Sequence, residues 1–242
     1  TDVFSWDVFG TRWTYAALDE LKLTALRVFT TEPGILPDVA PYAPARDAIF
    51  TLNGTAAGVW VPDLDWIADD RQGLTLCDAT SAAFAVGLDW SKIDVLTFSW
   101  QKCMGGEAQH GMLVMGPGAI ERLNTWRPEW PIPGRLQLHA NGKANMGVYE
   151  GATLNTPSLM AVEDYLAALK WASRIGGLPA LIRRREENFA ALDAWVQGAD
   201  WIDYLCETPA HRSPVSVCLK YTDPAVIAAG AEALWELTKK IS

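Results

Sequence analysis

Short apolar runs rich in Val, Leu, Ile, Phe and Thr recur through positions 3–115, and most are separated by helical or turn-like segments. Strands buried on both faces show this rhythm, because a parallel sheet covered by helices leaves no polar face for the sequence to alternate with. The pattern predicts strands at 3–6, 26–30, 48–52, 74–78, 95–99 and 112–115, and an amphipathic helix over 14–23 with Ala17, Leu18 and Leu21 on one side. Gly105, Gly106 and Gly111 let the chain reverse after position 102. So short a link favours an antiparallel return of 112–115, since a parallel crossover needs about a dozen residues or more.

The Pro-, Trp- and Gly-rich stretch 127–151 is too long for an ordinary connector and is a candidate functional loop. Asn155-Thr156-Pro157-Ser158 reads as a helix start, and Val162, Tyr165, Leu166 and Leu169 share one face of the helical stretch 159–195, which Gly176-Gly177 interrupts. Beyond Trp201 the pattern turns to short β runs at 202–205 and 215–221, then to a helix from Pro224. The expected class is α/β: a mostly parallel sheet flanked by helices over 1–197, followed by a partial C-terminal α+β domain over 198–242.

Composition narrows the function. Half of the 242 residues are hydrophobic, enough for a substantial core, and the net charge of −9 argues against gathering nucleic acid or anionic lipid through the overall field. An anionic substrate would need locally placed Arg or Lys. No secretory h-region and no run of about 18 apolar residues is visible, so neither export nor a membrane span is expected. Four scattered cysteines have neither metal-type spacing nor a disulfide framework, which points to reduced thiols in the cytoplasm and no metal. The chain starts without Met in a strand pattern and stops in a helical one, so a fragment is expected.

Two positions carry candidate chemistry. In Ser99-Trp-Gln-Lys102-Cys-Met-Gly-Gly106 a lysine follows the carboxyl end of an apolar strand, where ligands bind in open α/β sheets. Schiff-base chemistry needs an amine that loses its proton near neutral pH, which partial desolvation promotes. Taken alone, the pattern also suits a surface lysine. In Leu74-Thr-Leu-Cys-Asp78-Ala-Thr80-Ser81 one carboxylate closes a neighbouring strand. Such a carboxylate keeps a pyridine nitrogen protonated, though a turn or cap role explains a lone Asp equally well.

The blocks Asp78-Ala-Thr-Ser-Ala, Ser99-Trp-Gln-Lys102 and Leu154-Asn-Thr-Pro157 resemble the phosphoserine aminotransferase family among the fold-type I, class V aminotransferases, with Gly105-Gly-Glu-Ala-Gln-His-Gly111 after the lysine typical of one branch. The resemblance covers nearly the whole chain. It implies pyridoxal 5'-phosphate held by Lys102 as a Schiff base, with Lys102 also moving the proton between the substrate α-carbon and the cofactor, and Asp78 on the pyridinium nitrogen. It further implies Trp13 stacked on the ring, Thr55 on the phenolic oxygen, and Thr80 and Gln101 near the phosphate. Asn155 and Thr156 would reach the phosphate from the partner subunit of a homodimer.

Arg127, Arg135 and Lys143 in the long loop, with His110 and His139 nearby, are candidates for anionic substrate, although solvated loop charges are a simpler account of each. The implied reaction moves an amino group from glutamate to 3-phosphohydroxypyruvate in serine biosynthesis. Another class V aminotransferase, of the alanine, serine or glyoxylate type, and a catalytically incomplete scaffold remnant are the alternatives. No Gly-x-Gly-x-x-Gly follows a strand and no Gly-x-Ser-x-Gly occurs, against a dinucleotide enzyme or a hydrolase. The family's early phosphate-gripping segment and its terminal carboxylate-binding arginine have no counterpart within the 242 residues.

Overall fold

Strand β1 (Asp2–Ser5) lies between β2 (Arg27–Thr30) and β3 (Ala48–Thr51), and after β3 the chain makes a small hairpin of two-residue strands, β4 (Asn53–Gly54) against β5 (Val59–Trp60). The sheet continues through β6 (Thr75–Asp78) and β7 (Val95–Ser99) to β8 (Gly111–Met115), in the order β2-β1-β3-β6-β7-β8. All neighbours run parallel except β7 and β8, so the short glycine-rich link returns the chain antiparallel, as its length requires. This computed structural model describes residues 1–241, except for the side chains at 135, 231, 233–234 and 236–241.

The first helix sits earlier than its periodicity predicts. α1 (Val8–Tyr15) runs on into a π-helical turn, Ala16–Glu20, and of the three residues expected on the inner face only Ala17 is buried, with Leu18 and Leu21 at 44% and 47% exposure. The start is set by Asp7, whose carboxylate accepts the Phe9 and Gly10 N–H groups at 3.0 and 2.8 Å. Gly10 lets α1 lie close on β1, because a Cβ there would stand 2.9 Å from the Ser5 Cβ.

After β8 come α2 (Pro117–Thr125), then a small antiparallel hairpin, β9 (His139–Ala140) with β10 (Lys143–Ala144), inside the long loop. α3 (Leu159–Arg174) is capped by the Ser158 hydroxyl, and it is separated from α4 (Gly177–Gln197) by the left-handed Gly176 and Gly177, at φ 112° and 67°. β11 (Ile202–Tyr204) pairs antiparallel with β12 (Leu219–Tyr221), a shorter strand than the apolar run 215–221 suggests, and α5 (Pro224–Ile241) follows with Gly230 outside helical geometry. Between β11 and β12 the chain returns to the central sheet: Arg212 bridges Val59, and the Ser213 N–H donates to the Gly58 carbonyl at 2.9 Å.

Phe4, Trp6, Phe50, Ile67, Cys77 and Leu96 form the centre of the main core. A second cluster, Trp100, Met104, Ala161, Tyr165, Ala172 and Leu181, locks α3 and α4 onto the segment after β7. All four cysteines are free, and burial pushes the Cys77 thiol far above its ordinary range. Among the described residues no helix is long and apolar enough to cross a membrane.

The amino-terminal edge of the sheet is pinned by a buried charge. The Asp2 carboxylate, fully buried, accepts Arg27 Nε at 2.8 Å, Arg46 Nε at 2.7 Å and the Ala43 N–H at 3.3 Å. Burial by itself raises the Asp2 pKa, but the bonded guanidinium groups and the Ala43 N–H reverse that and hold it below the ordinary carboxylate range. A folded pKa below the unfolded one adds stability above the unfolded value, about 3.9, and that stability disappears as pH falls through the lower folded value. Asp2→Ala is therefore expected to cost about 3 kcal/mol at neutral pH, roughly 10 °C in Tm, with the difference shrinking below about pH 4 in thermal scans across pH.

Candidate active site

Asp78 is the last residue of β6, paired in register with Thr97 of β7, so Lys102 lies a few residues past that partner beyond the same carboxyl end of the sheet. Ligand crevices form at this end in open α/β sheets. An ionised carboxylate offers about four acceptor positions. On Asp78, Oδ1 takes the Thr80 N–H at 2.9 Å and the Thr80 hydroxyl at 2.6 Å, while Oδ2 takes the Trp13 indole N–H at 3.0 Å. Among the described residues nothing else donates to Asp78, which leaves one acceptor position on Oδ2 for an incoming N–H.

Trp13 reaches this point from α1, and its ring is 38% exposed, so one edge is bonded to Asp78 while part of its surface stays open. Asp7 fixes α1 from its start and also receives the Ala56 N–H at 3.3 Å, which ties that helix to the turn bearing Thr55. The Thr55 hydroxyl donates to Ser81 Oγ at 2.9 Å. Asn53 Nδ2 donates to Ser81 Oγ at 2.8 Å and Ser216 Oγ at 3.2 Å, and Ser213 Oγ donates to Asn53 Oδ1 at 2.5 Å. Asn53, Ser81 and Ser213 are buried polar residues that sequence reasoning did not single out. Ser81 stands in the quoted Asp78 block, whereas nothing local marks the serines of the 213–216 turn as partners of Asn53. Gly54 is required here, because a Cβ would lie 2.3 Å from Trp6 Nε1.

Lys102 occupies a turn closed twice: the Gly105 N–H donates to its carbonyl at 3.0 Å, and the Gly106 N–H to that of Trp100 at 2.9 Å. Trp100 anchors the turn by stacking on Tyr165 of α3, centroids 4.2 Å apart and planes at 6°, while His110 lies on it at 4.8 Å. Lys102 itself is exposed, not partly buried as expected, and among the described residues Nζ makes no hydrogen bond or ion pair. Gln101 beside it is also exposed.

The other candidates fall elsewhere. Asn155 and Thr156 are exposed and, since Ser158 caps α3, have no capping duty. With His110 they line a hollow of about 990 Å³ whose walls, among the described residues, include neither Asp78 nor Lys102. The Nε2 atoms of His110 and His139 are buried without a partner among the described residues. The Arg127 guanidinium donates to the carbonyls of Leu123 at 2.6 Å, Trp126 at 3.1 Å and Gly142, fastening the long loop to the end of α2. The Arg135 side chain lies outside the described residues, and Lys143 is an exposed residue of β10.

No family model matches the chain. It is 50% identical over 219 residues to the phosphoserine aminotransferase of Methanosarcina mazei, a match that covers 90% of this chain and 59% of that protein. The chain thus spans about three fifths of the curated relative's length. Among solved structures it is similar to a phosphoserine aminotransferase from Cytophaga hutchinsonii, with a TM-score of 0.77 at 22% identity, covering 94% of this chain and 64% of the other. It is also similar to an alanine–glyoxylate aminotransferase from Nostoc sp., with a TM-score of 0.68 at 16% identity, covering 88% and 57%. The fold is that of the fold-type I aminotransferases.

Proposed function

We infer that this chain belongs to the phosphoserine aminotransferase family, and we propose that the protein it is part of is a pyridoxal-phosphate-dependent transaminase passing an amino group from glutamate to 3-phosphohydroxypyruvate. The observation that carries the reading is the Asp78 carboxylate, held by three hydrogen bonds at the sheet's carboxyl end with one acceptor position free, at the same end of the sheet as a turn whose lysine amine has no partner among the described residues. An acceptor of that kind fits a protonated ring nitrogen. Pyridoxal phosphate, when bound, supplies an electron sink for the pair of electrons left as a substrate loses its α-proton.

In this reading Lys102 Nζ would hold the cofactor and would take the proton from the substrate α-carbon. Asp78 would keep the ring nitrogen charged, Trp13 would cover the ring, and Thr55, held on Ser81, would support the phenolic oxygen. Thr80, Gln101 and, from a second copy, Asn155 and Thr156 hold the phosphate. A homodimer is supported by the exposure of Lys102, which leaves the amine to be covered from outside the chain, and by Leu154, Leu159 and Met160, apolar residues near the Asn155 turn that are 69%, 69% and 73% exposed. The four free thiols fit a reducing compartment such as the cytoplasm. We assign residues 198–242 to the start of a second domain, linked to the site through Asn53, Ser213 and Ser216.

The likeness in fold to an alanine–glyoxylate aminotransferase keeps an unphosphorylated keto acid as the second reading. Full-length protein assayed with glutamate is expected to prefer the phosphorylated keto acid by at least about a hundredfold in kcat/KM, the scale on which a site built for a charged group rejects an analogue lacking it. Equal or better use of glyoxylate or pyruvate would select the alternative.

A further inference from the structure

Resting on the aminotransferase reading, we infer that Trp13 is a positioning residue for Asp78 through its indole N–H, a task separate from covering a ring face. The indole Nε1 is 3.0 Å from Asp78 Oδ2, the same oxygen that retains the free acceptor position, whereas Thr80 fills both positions on Oδ1. The two oxygens are therefore not equivalent. Thr80 clamps one, and Trp13 fixes the direction in which the remaining position of the other faces.

Trp13 is held to this job by its own element: Asp7 caps α1 through the Phe9 and Gly10 N–H groups, and Gly10 seats the helix on Ser5. Phenylalanine at position 13 supplies an aromatic face without an N–H. It leaves Asp78 Oδ2 without that donor, so that only the Thr80 clamp on Oδ1 sets the direction of the carboxylate. A ring nitrogen facing that carboxylate then carries less positive charge, and the lysine–cofactor linkage gives up its proton at a higher pH.

The test uses full-length protein with Trp13→Phe, Asp78→Asn and the double variant, each compared with the parent for cofactor dissociation constant and for the pH midpoint of the bound cofactor's long-wavelength absorbance. Trp13→Phe is expected to weaken cofactor binding about tenfold and raise the midpoint by up to about one pH unit, the scale of losing one hydrogen bond to a charged group. In the Asp78→Asn background the same substitution is expected to change either quantity less than twofold, because the bond it removes is already altered. Unchanged affinity and midpoint in Trp13→Phe overturn the inference, and so does an effect that persists at full size without the Asp78 carboxylate, which would assign it to the ring face. A parent protein with no cofactor band removes the aminotransferase reading itself, an outcome that the variants cannot mimic.

Discussion

Lys102→Ala is expected to lower transaminase turnover by about a thousandfold or more and to remove the covalent cofactor band, while leaving the protein folded. The amine would serve twice, as the nucleophile that holds the cofactor and as the base that moves the α-proton, and the proton transfer alone is worth about 10²–10⁴-fold. Folding is spared because the side chain is exposed and makes no bond among the described residues. The turn around it is held by backbone bonds from Gly105 and Gly106 and by the stack of Trp100 on Tyr165. Steady-state kinetics and an absorbance spectrum check it, and turnover within tenfold of the parent would remove Lys102 from the chemistry.

Asp78→Asn should lower kcat by about 10²–10³-fold while the covalent band persists, in contrast to Lys102→Ala. An Asn oxygen can still accept from Thr80, so the end of β6 keeps its shape. The amide nitrogen that replaces Oδ2 is a donor, however, facing a tryptophan N–H on one side and the expected ring N–H on the other. Loss of the negative charge removes the group that would keep the ring nitrogen protonated, so the penalty falls on the step that develops carbanion charge rather than on substrate affinity. A variant with raised KM and unchanged kcat would place Asp78 in ground-state binding instead.

The sheet was legible because its strands are short apolar runs, buried in β1, β3 and β6 though largely open at the edges in β2 and β8, and even the antiparallel return of β8 followed from the length of its link. The first helix was less so: its apolar spacing drew the expectation toward 14–23, whereas Asp7, two hydrogen bonds and the seat offered by Gly10 start it at Val8. Asp78 and Lys102, which both lie at the carboxyl end of the sheet, were proposed from strand ends. Their surroundings were not, since the Trp13–Asp78 bond joins residues 65 apart and the Ser213–Asn53 bond residues 160 apart, distances over which a side-chain contact leaves no local pattern. Arg127, for which a loop charge was the simpler account, donates to carbonyls at the end of α2 and the start of its own loop, contacts that its sequence neighbourhood does not announce.

The most direct test of the account is chemical. Full-length protein incubated with pyridoxal phosphate, reduced with borohydride and mapped by peptide mass spectrometry is predicted to carry the reduced cofactor on Lys102. A label on a different lysine, or none on any peptide, would contradict it.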